Sequence, residues 1–190
     1  MNIKLGKALL AAALAAAMMP DTAATAQNKK GNLMENNPLM RPGTLPYGAP
    51  DFSKIKGEDY LPALKEGIRQ QREEIARIVA DKAKPTFANT ILAYEKSGLL
   101  LDRVSGIFFA LVSADKTPEI EQAEKEAVPL LTDFENEISF NQRFFQRIKY
   151  VYDHERNTLK GEDRKLLEEV YKKFVRSGAL LPEDKMARMQ

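Results

Sequence analysis

Apolar residues recur at three- and four-residue steps along most of the chain, and this spacing predicts α-helices rather than β-strands. The first helix should begin near Asp59, with Pro62 in its first turn, where the missing backbone donor does little harm. The proline-containing run at 81–85 ends it. Its apolar stripe consists of Leu61, Leu64, Ile68, Ile75 and Ile78. No stretch alternates strictly between apolar and polar residues, so the predicted fold class is all-α.

Six further helices are predicted between breaks formed by proline, glycine and polar residues. Thr117 and Asn141 precede two of them as N-caps, and Pro118 takes a first helical position. Gly178 closes another helix as a C-terminal cap, and Pro129 should kink the helix that contains it. The predicted ranges are 86–95, 99–113, 118–139, 142–154, 161–176 and a last helix that begins after residue 181.

The segment before the first helix has a proline at every fourth position from residue 38 to residue 50. Proline fixes φ, removes a backbone donor and biases the preceding residue towards extended backbone. Residues 27–52 are therefore predicted to form a polar and Pro-rich extended arm, followed by a helical segment at 53–190. A disordered linker is normally poor in large apolar side chains, so we expect the arm to pack on a larger body. The expected anchors are Leu45, Tyr47 and Phe52.

The third predicted helix is unusually apolar. Nine of the fourteen residues in the range Leu99–Val112 are large and apolar, so they cover more than half of the helix circumference. The helix is short and carries Asp102 and Arg103, which argues against a membrane span. The last predicted helix reaches Gln190 without a capping residue. Both features predict an incomplete domain, and the alternative is that the apolar helix is the centre of a small bundle.

The N-terminal residues have the parts of a secretory signal peptide. Lys4 and Lys7 precede an apolar run at 8–19, and the Ala-Thr-Ala sequence at 24–26 offers the small residues of a cleavage site. The run has twelve residues, whereas a membrane span needs about 20. We therefore expect cleavage after Ala26 and export to the periplasm, the alternative being an ordinary buried helix.

Composition removes several classes of function. The chain has 29 basic and 27 acidic residues, a formal charge of +2, and the two signs are interleaved. Binding to nucleic acid or to an anionic membrane surface normally requires a basic patch, so neither partner is expected. The chain has no cysteine, which excludes disulfide bridges, thiolate metal sites and cysteine nucleophiles. Stability must therefore come from an apolar core.

No residue in the sequence is assigned a catalytic, cofactor-binding or metal-binding role. The single histidine, His154, opens a His-Glu-x-x sequence, but Thr158 stands where a zinc-protease helix needs its second histidine. His154 is therefore interpreted as part of the solvated end of a helix. The sequence also lacks a glycine-rich phosphate loop and a nucleophile elbow. The aromatic pairs at 108–109 and 144–145 could line a groove, but core packing is the favoured interpretation.

Three stretches, in the same order and spacing, resemble the N-terminal region of a zinc metallopeptidase family. They are NPLMRPGTLPYGAPDFSKIKGEDYLPALKEGIRQQREEIARI, PTFANTILAYEKSGLLLDRVSGIFFALVSAD and RKLLEEVYKKFVRSGALL. The family includes peptidyl-dipeptidase Dcp, oligopeptidase A and thimet oligopeptidase. The resemblance covers residues 37–181, which is nearly all of the chain after the predicted signal peptide.

The resemblance implies an almost wholly helical, two-lobed enzyme with a deep channel. In the family, two histidines of a His-Glu-x-x-His helix and a distal glutamate hold zinc, and Dcp-like members release dipeptides from the C-termini of short peptides. Those residues lie downstream of the matched region, so none is carried onto a position of this sequence. The resemblance thus implies that this segment is scaffold and channel wall, inert alone and without zinc of its own. Its partner would be the C-terminal catalytic part of the same chain.

Two hypotheses of different classes remain. The first is the N-terminal segment of an exported zinc-dependent peptidyl-dipeptidase, and it predicts exposed apolar surface around the third helix. The second is a stand-alone exported helical module that binds a peptide or protein without catalysis. It predicts a compact monomer that unfolds in one sharp transition.

Overall fold

The computed structural model describes residues 36–181 and residue 185. The expected signal peptide, its cleavage after Ala26 and the last expected helix therefore lie outside the described residues. The regular elements of the described residues are all helices, with no strand among them, and this confirms the all-α class. The helices are α1 (Gly57–Ala80), α2 (Ala93–Glu95), α3 (Leu99–Ala114), α4 (Pro118–Ser139), α5 (Gln142–Glu155) and α6 (Gly161–Arg176).

Helix α1 begins at Gly57, two residues before the expected start, because the side chain of Asp59 accepts a hydrogen bond from the backbone N–H of Lys56 at 2.8 Å. Pro62 is consequently the sixth helical residue, and its expected position in the first turn was wrong. Because proline has no backbone N–H, Pro62 cannot donate to the carbonyl of Glu58. Glu58 is an exposed residue at the helix start. The predicted stripe is confirmed, since Leu64, Ile68, Ile75 and Ile78 are buried and Leu61 packs against the core at its edge.

The predicted caps of the later helices are confirmed. The Thr117 hydroxyl accepts the N–H of Ile120 at 3.4 Å, and α4 continues through Pro129 to Ser139. The side-chain oxygen of Asn141 accepts the N–H of Phe144 at 3.0 Å and so opens α5. These hydrogen bonds satisfy backbone donors that have no partner inside a helix.

Helix α6 ends at Arg176, and Gly178 terminates it as predicted. Gly178 has φ 90°, a left-handed backbone that favours glycine. Its N–H donates to the carbonyl of Val175 at 3.0 Å, and the N–H of Ala179 donates to the carbonyl of Phe174 at 3.0 Å. This pair of bonds is the Schellman motif.

The predicted helix at 86–95 has two parts. Phe87–Leu92 is π-helical and leads directly into α2. The backbone N–H of Phe87 donates to the carboxylate of Glu155 at 2.9 Å, so the end of α5 fixes the start of this segment. The π-helical turn was not predicted, because it does not alter the spacing of apolar residues enough to be seen in a short segment.

The core is built around α1, which packs against α3, α4 and α5. Helices α5 and α6 pack together with the π-helical segment and bring an aromatic cluster into the interior. Phe144 contacts Phe174 edge to face, with ring centroids 5.4 Å apart, and Tyr94 contacts Phe144 in the same way at 5.1 Å. Such pairs stabilise by roughly 0.5–1.5 kcal/mol beyond the area they bury.

The arm is anchored by residues other than those expected. Leu39 is 2% exposed, the Asn37 side-chain amide donates to the carbonyl of Asp59 at 2.7 Å, and the Arg103 guanidinium donates to the carbonyl of Leu39 at 3.1 Å. The expected anchors are exposed at 45%, 107% and 51%: Leu45, Tyr47 and Phe52. That prediction was wrong because the arm folds back on itself in short 3₁₀ turns after residue 45 and leaves the helical surface.

Candidate functional site

A cleft of about 510 Å³ lies between α2, α3, α4 and α6. Its floor is apolar and includes Leu101, Phe134, Ile138 and Val170. Its rim is polar and charged. The rim residues include Tyr94, Glu95, Asp102, Glu135, Glu169 and Lys173.

A tight turn at Gly98 sets the angle between the two helices that carry Tyr94 and Asp102. Gly98 has φ 76°, and its N–H donates to the carboxylate of Glu74 at 2.8 Å. A Cβ atom at this position would lie 2.4 Å from the side-chain amide of Gln71. The turn therefore needs glycine on two grounds, backbone conformation and space.

The basic group of the cleft is already neutralised. The Lys173 ammonium lies 3.1 Å from the carboxylate of Glu135. Burial lowers the pKa of Lys173, but Tyr94 and Glu135 together outweigh that effect and leave this pKa above its ordinary value. Burial also raises the pKa of the Tyr94 hydroxyl. Lys173 is thus a charged group with its hydrogen bonds satisfied.

The carboxyl of Asp102 has a different environment. Packing around it disfavours the charged form and raises the pKa of Asp102, while Lys173 acts in the opposite direction. The residue is nevertheless exposed to solvent. Asp102 and Glu95 take part in no salt bridge within the described residues, whereas Glu169 lies 2.7 Å from Lys165 and 3.3 Å from Lys172.

The described serine and carboxylate groups of the cleft are not arranged as an activated nucleophile or as a metal site. The buried hydroxyl of Ser97 donates to the carbonyl of Tyr94 at 2.7 Å, and no base lies beside it to activate it. Within the described residues, no group of three or more His, Cys, Asp or Glu side chains is arranged to hold a metal ion. The residues present therefore do not fit a zinc centre.

His154 occupies the position that the sequence predicts. It is exposed at the end of α5, its Nδ1 lies 2.8 Å from the carbonyl of Tyr150, and its ring stacks on the Tyr150 ring at 3.9 Å. The aromatic pairs are mostly core, as favoured. Phe108, Phe144 and Phe145 are at most 1% exposed, and only Phe109 reaches the surface, at 37%.

Helix α3 exposes two large apolar side chains, Leu99 and Phe109, on a side that it shares with the exposed residues Asp102 and Gly106. Leu100, Leu101, Val104 and Phe108 are buried, but Leu99 is 69% exposed. By length and composition alone Phe87–Ala114 could cross a membrane, and 33% of its most apolar window is buried. The turn at Gly98 splits this stretch, and α3 itself has 16 residues, which is shorter than the roughly 20 of a membrane span.

Comparison with curated proteins shows what the chain resembles. Dipeptidyl carboxypeptidase of Salmonella typhimurium is 39% identical over 158 residues, which is 83% of this chain and 23% of the relative. The Escherichia coli dipeptidyl carboxypeptidase is 37% identical over 81% of this chain. Oligopeptidase A of Escherichia coli is 28% identical over 80%. A comparison with family models found no match.

The chain is a homologue of the N-terminal region of these peptidases. This confirms the resemblance seen in the arm and the first helices. The chain spans less than a quarter of the length of these relatives, at 22–23%.

Proposed function

We propose that this chain is the N-terminal scaffold and channel-wall segment of an exported, zinc-dependent peptidyl-dipeptidase. In the complete enzyme, short peptides would be hydrolysed and dipeptides released from their C-termini. The observation that carries the proposal is the 39% identity to a dipeptidyl carboxypeptidase over 83% of the chain. Zinc would be held by the downstream catalytic part, since the described residues offer no ligand set. No catalytic step is assigned to this segment.

The exposed face of α3 supports the same proposal. Apolar surface left in water is unfavourable by about 25 cal/mol per Å², and Leu99 and Phe109 are exposed large apolar residues of this helix. A downstream part of the same polypeptide that packs on α3 would remove this cost. The predicted signal peptide supports export to the periplasm, and N-terminal sequencing of the secreted protein, with Gln27 as its expected first residue, tests that part.

Zinc content and peptide cleavage test the assignment of roles. The purified 190-residue chain should bind no stoichiometric zinc and should release no dipeptide from a short peptide. The polypeptide encoded by the full reading frame should do both, because a His-Glu-x-x-His helix would lie downstream. Tight zinc binding with turnover by the 190-residue chain alone would overturn the proposal.

A second candidate function is a stand-alone helical module that binds peptide or protein without catalysis. The cleft favours it, since a pocket of about 510 Å³ with an apolar floor is of the size that binds small ligands. A reading frame that stops after Gln190, together with a monomer that unfolds in one sharp transition, would favour this candidate over the first.

A further inference from the structure

The cleft between α2, α3, α4 and α6 has an excess of negative charge. Four carboxylates line it, against one ammonium group. Glu135 is paired with Lys173, and Glu169 is paired with lysines of its own helix. The excess is therefore concentrated on Glu95 and Asp102, which have no salt-bridge partner in the described part of the chain.

Packing around Asp102 disfavours its charged form, although the residue is exposed at the rim of the cleft. Asp102 follows the buried residue Leu101 on α3, and the packed surroundings raise its pKa. A cation placed beside it would favour the charged form. The ammonium of Lys173 is held by Glu135 at 3.1 Å, so a second cation would have to come from a ligand.

The floor of the cleft supplies the apolar half of a binding site. Leu101, Phe134 and Ile138 are buried side chains at the bottom, and partly buried Leu131 and Leu166 continue the surface outwards. The volume of about 510 Å³ accommodates two or three amino-acid side chains. One ligand could therefore place an apolar group on the floor and a neighbouring charged group in an ion pair at the rim.

We propose that this cleft binds a free short peptide in which an apolar side chain lies next to a lysine or an arginine. The apolar side chain contacts the floor, and the cationic group pairs with Asp102 and Glu95. Charge complementarity selects this occupant, because an acidic peptide would meet the carboxylate rim. The proposal rests on the second candidate function and deepens it, since it names the chemistry of the peptide that this cleft would bind and requires neither zinc nor peptide cleavage.

Fluorescence anisotropy with two labelled peptides tests the site. The probes are Leu-Arg-Phe-Lys-amide and Leu-Glu-Phe-Glu-amide, each with the fluorophore on its N-terminal amine, and their blocked C-termini keep dipeptide release out of the measurement. The 190-residue chain should bind the basic probe at least tenfold more tightly than the acidic one. The preference should decrease as salt is added, because exposed charges are screened.

Substitutions locate the binding. The double variant Asp102→Asn, Glu95→Gln should bind the basic probe at least tenfold more weakly than the unchanged chain. The control Glu126→Gln removes one carboxylate from α4 outside the cleft and should leave binding unchanged. Circular dichroism of each variant checks the fold, and both cleft substitutions keep the shape of an exposed side chain.

Three outcomes would contradict the proposal. They are equal affinity for both probes, an unchanged affinity in the double variant, and no binding of the basic probe to the folded chain. None of these outcomes shows whether a downstream part carries zinc. The proposed function is tested separately, by zinc content and peptide cleavage.

Discussion

Gly67 and Gly106 lie in the adjacent helices α1 and α3, yet an added methyl group would act on them in opposite directions. A Cβ atom at Gly67 would lie 2.8 Å from the Cα atom of Leu101, so glycine is what allows the two helices to approach. A Cβ atom at Gly106 would have no atom within 4 Å. The sequence alone presents both simply as glycines inside helices.

The variants Gly67→Ala and Gly106→Ala should therefore differ in sign. Overpacking against the α3 backbone should lower the free energy of unfolding of Gly67→Ala by about 1–3 kcal/mol. The free energy of unfolding of Gly106→Ala should rise by about 0.5–1 kcal/mol, because alanine has a higher helix propensity than glycine and has room at this position. Urea unfolding followed by circular dichroism measures both. Equal effects on the two variants would show that the approach of α1 to α3 is not close at Gly67.

Arg147 shows a residue whose role the sequence did not reveal. Its guanidinium is buried and donates to the carbonyl of Asp81 at 2.7 Å, so it holds the segment that follows α1. In the sequence it is one more basic residue on an amphipathic helix. His154 was easier to interpret, because the absent second histidine excludes the metal motif by inspection.

At the scale of elements, the sequence pattern of the arm predicts its backbone better than it predicts which of its side chains are buried. Its prolines predict an extended segment, and the structure has short 3₁₀ turns at Pro38–Met40, Pro46–Gly48 and Phe52–Lys54. Its anchors were predicted wrongly, because an irregular segment has no periodicity that identifies a buried face. Burial at Leu39 depends on Asn37 and Arg103, and the guanidinium of Arg103 comes from 64 residues away in sequence.

Alanine substitutions in the arm should reflect this burial. Leu39→Ala should lower the free energy of unfolding by about 2–5 kcal/mol, because it leaves a cavity in the core. Leu45→Ala removes the same atoms from a side chain that is 45% exposed. It should therefore lower the free energy of unfolding by much less than Leu39→Ala does. Limited proteolysis should release the arm sooner in the first variant. A similar effect of both variants would mean that the arm is held at Leu45 after all.

The long helices were predicted well because several local signals agree at each end. The bounds of α6 match the predicted range, and those of α3 and α4 differ from it by at most one residue. Caps at Thr117 and Asn141 fixed the starts, and glycine at residue 178 fixed an end. The π-helical turn at Phe87–Leu92 was missed because its start depends on a carboxylate from α5.

At the scale of the whole molecule, α3 exposes two large apolar side chains to solvent. Leu99 is 69% and Phe109 37% exposed, although both lie on a strongly apolar helix. The hypothesis of an incomplete domain predicts such a surface. It also predicts self-association, since an unpartnered apolar face can be covered by a second copy.

The double variant Leu99→Ser, Phe109→Ser should reduce the fluorescence of a dye that binds exposed apolar surface. It should also shift the chain towards monomer in sedimentation analysis, because both substitutions act on exposed side chains. The control Ala110→Ser changes a small exposed residue of the same helix and should alter neither result. Dye binding that is unaffected by the double variant would place the accessible apolar surface elsewhere.

The sequence by itself determined the helical class, most helix bounds and the core stripe of α1, because these follow from local spacing and from caps a few residues apart. It also carried the homology to the peptidases, through ordered matches along 37–181. The tertiary structure decided the anchors of the arm, the close approach at Gly67 and the cleft. Each of these joins side chains from distant segments, and Asp102 faces Lys173 only after α3 and α6 have packed around a common core.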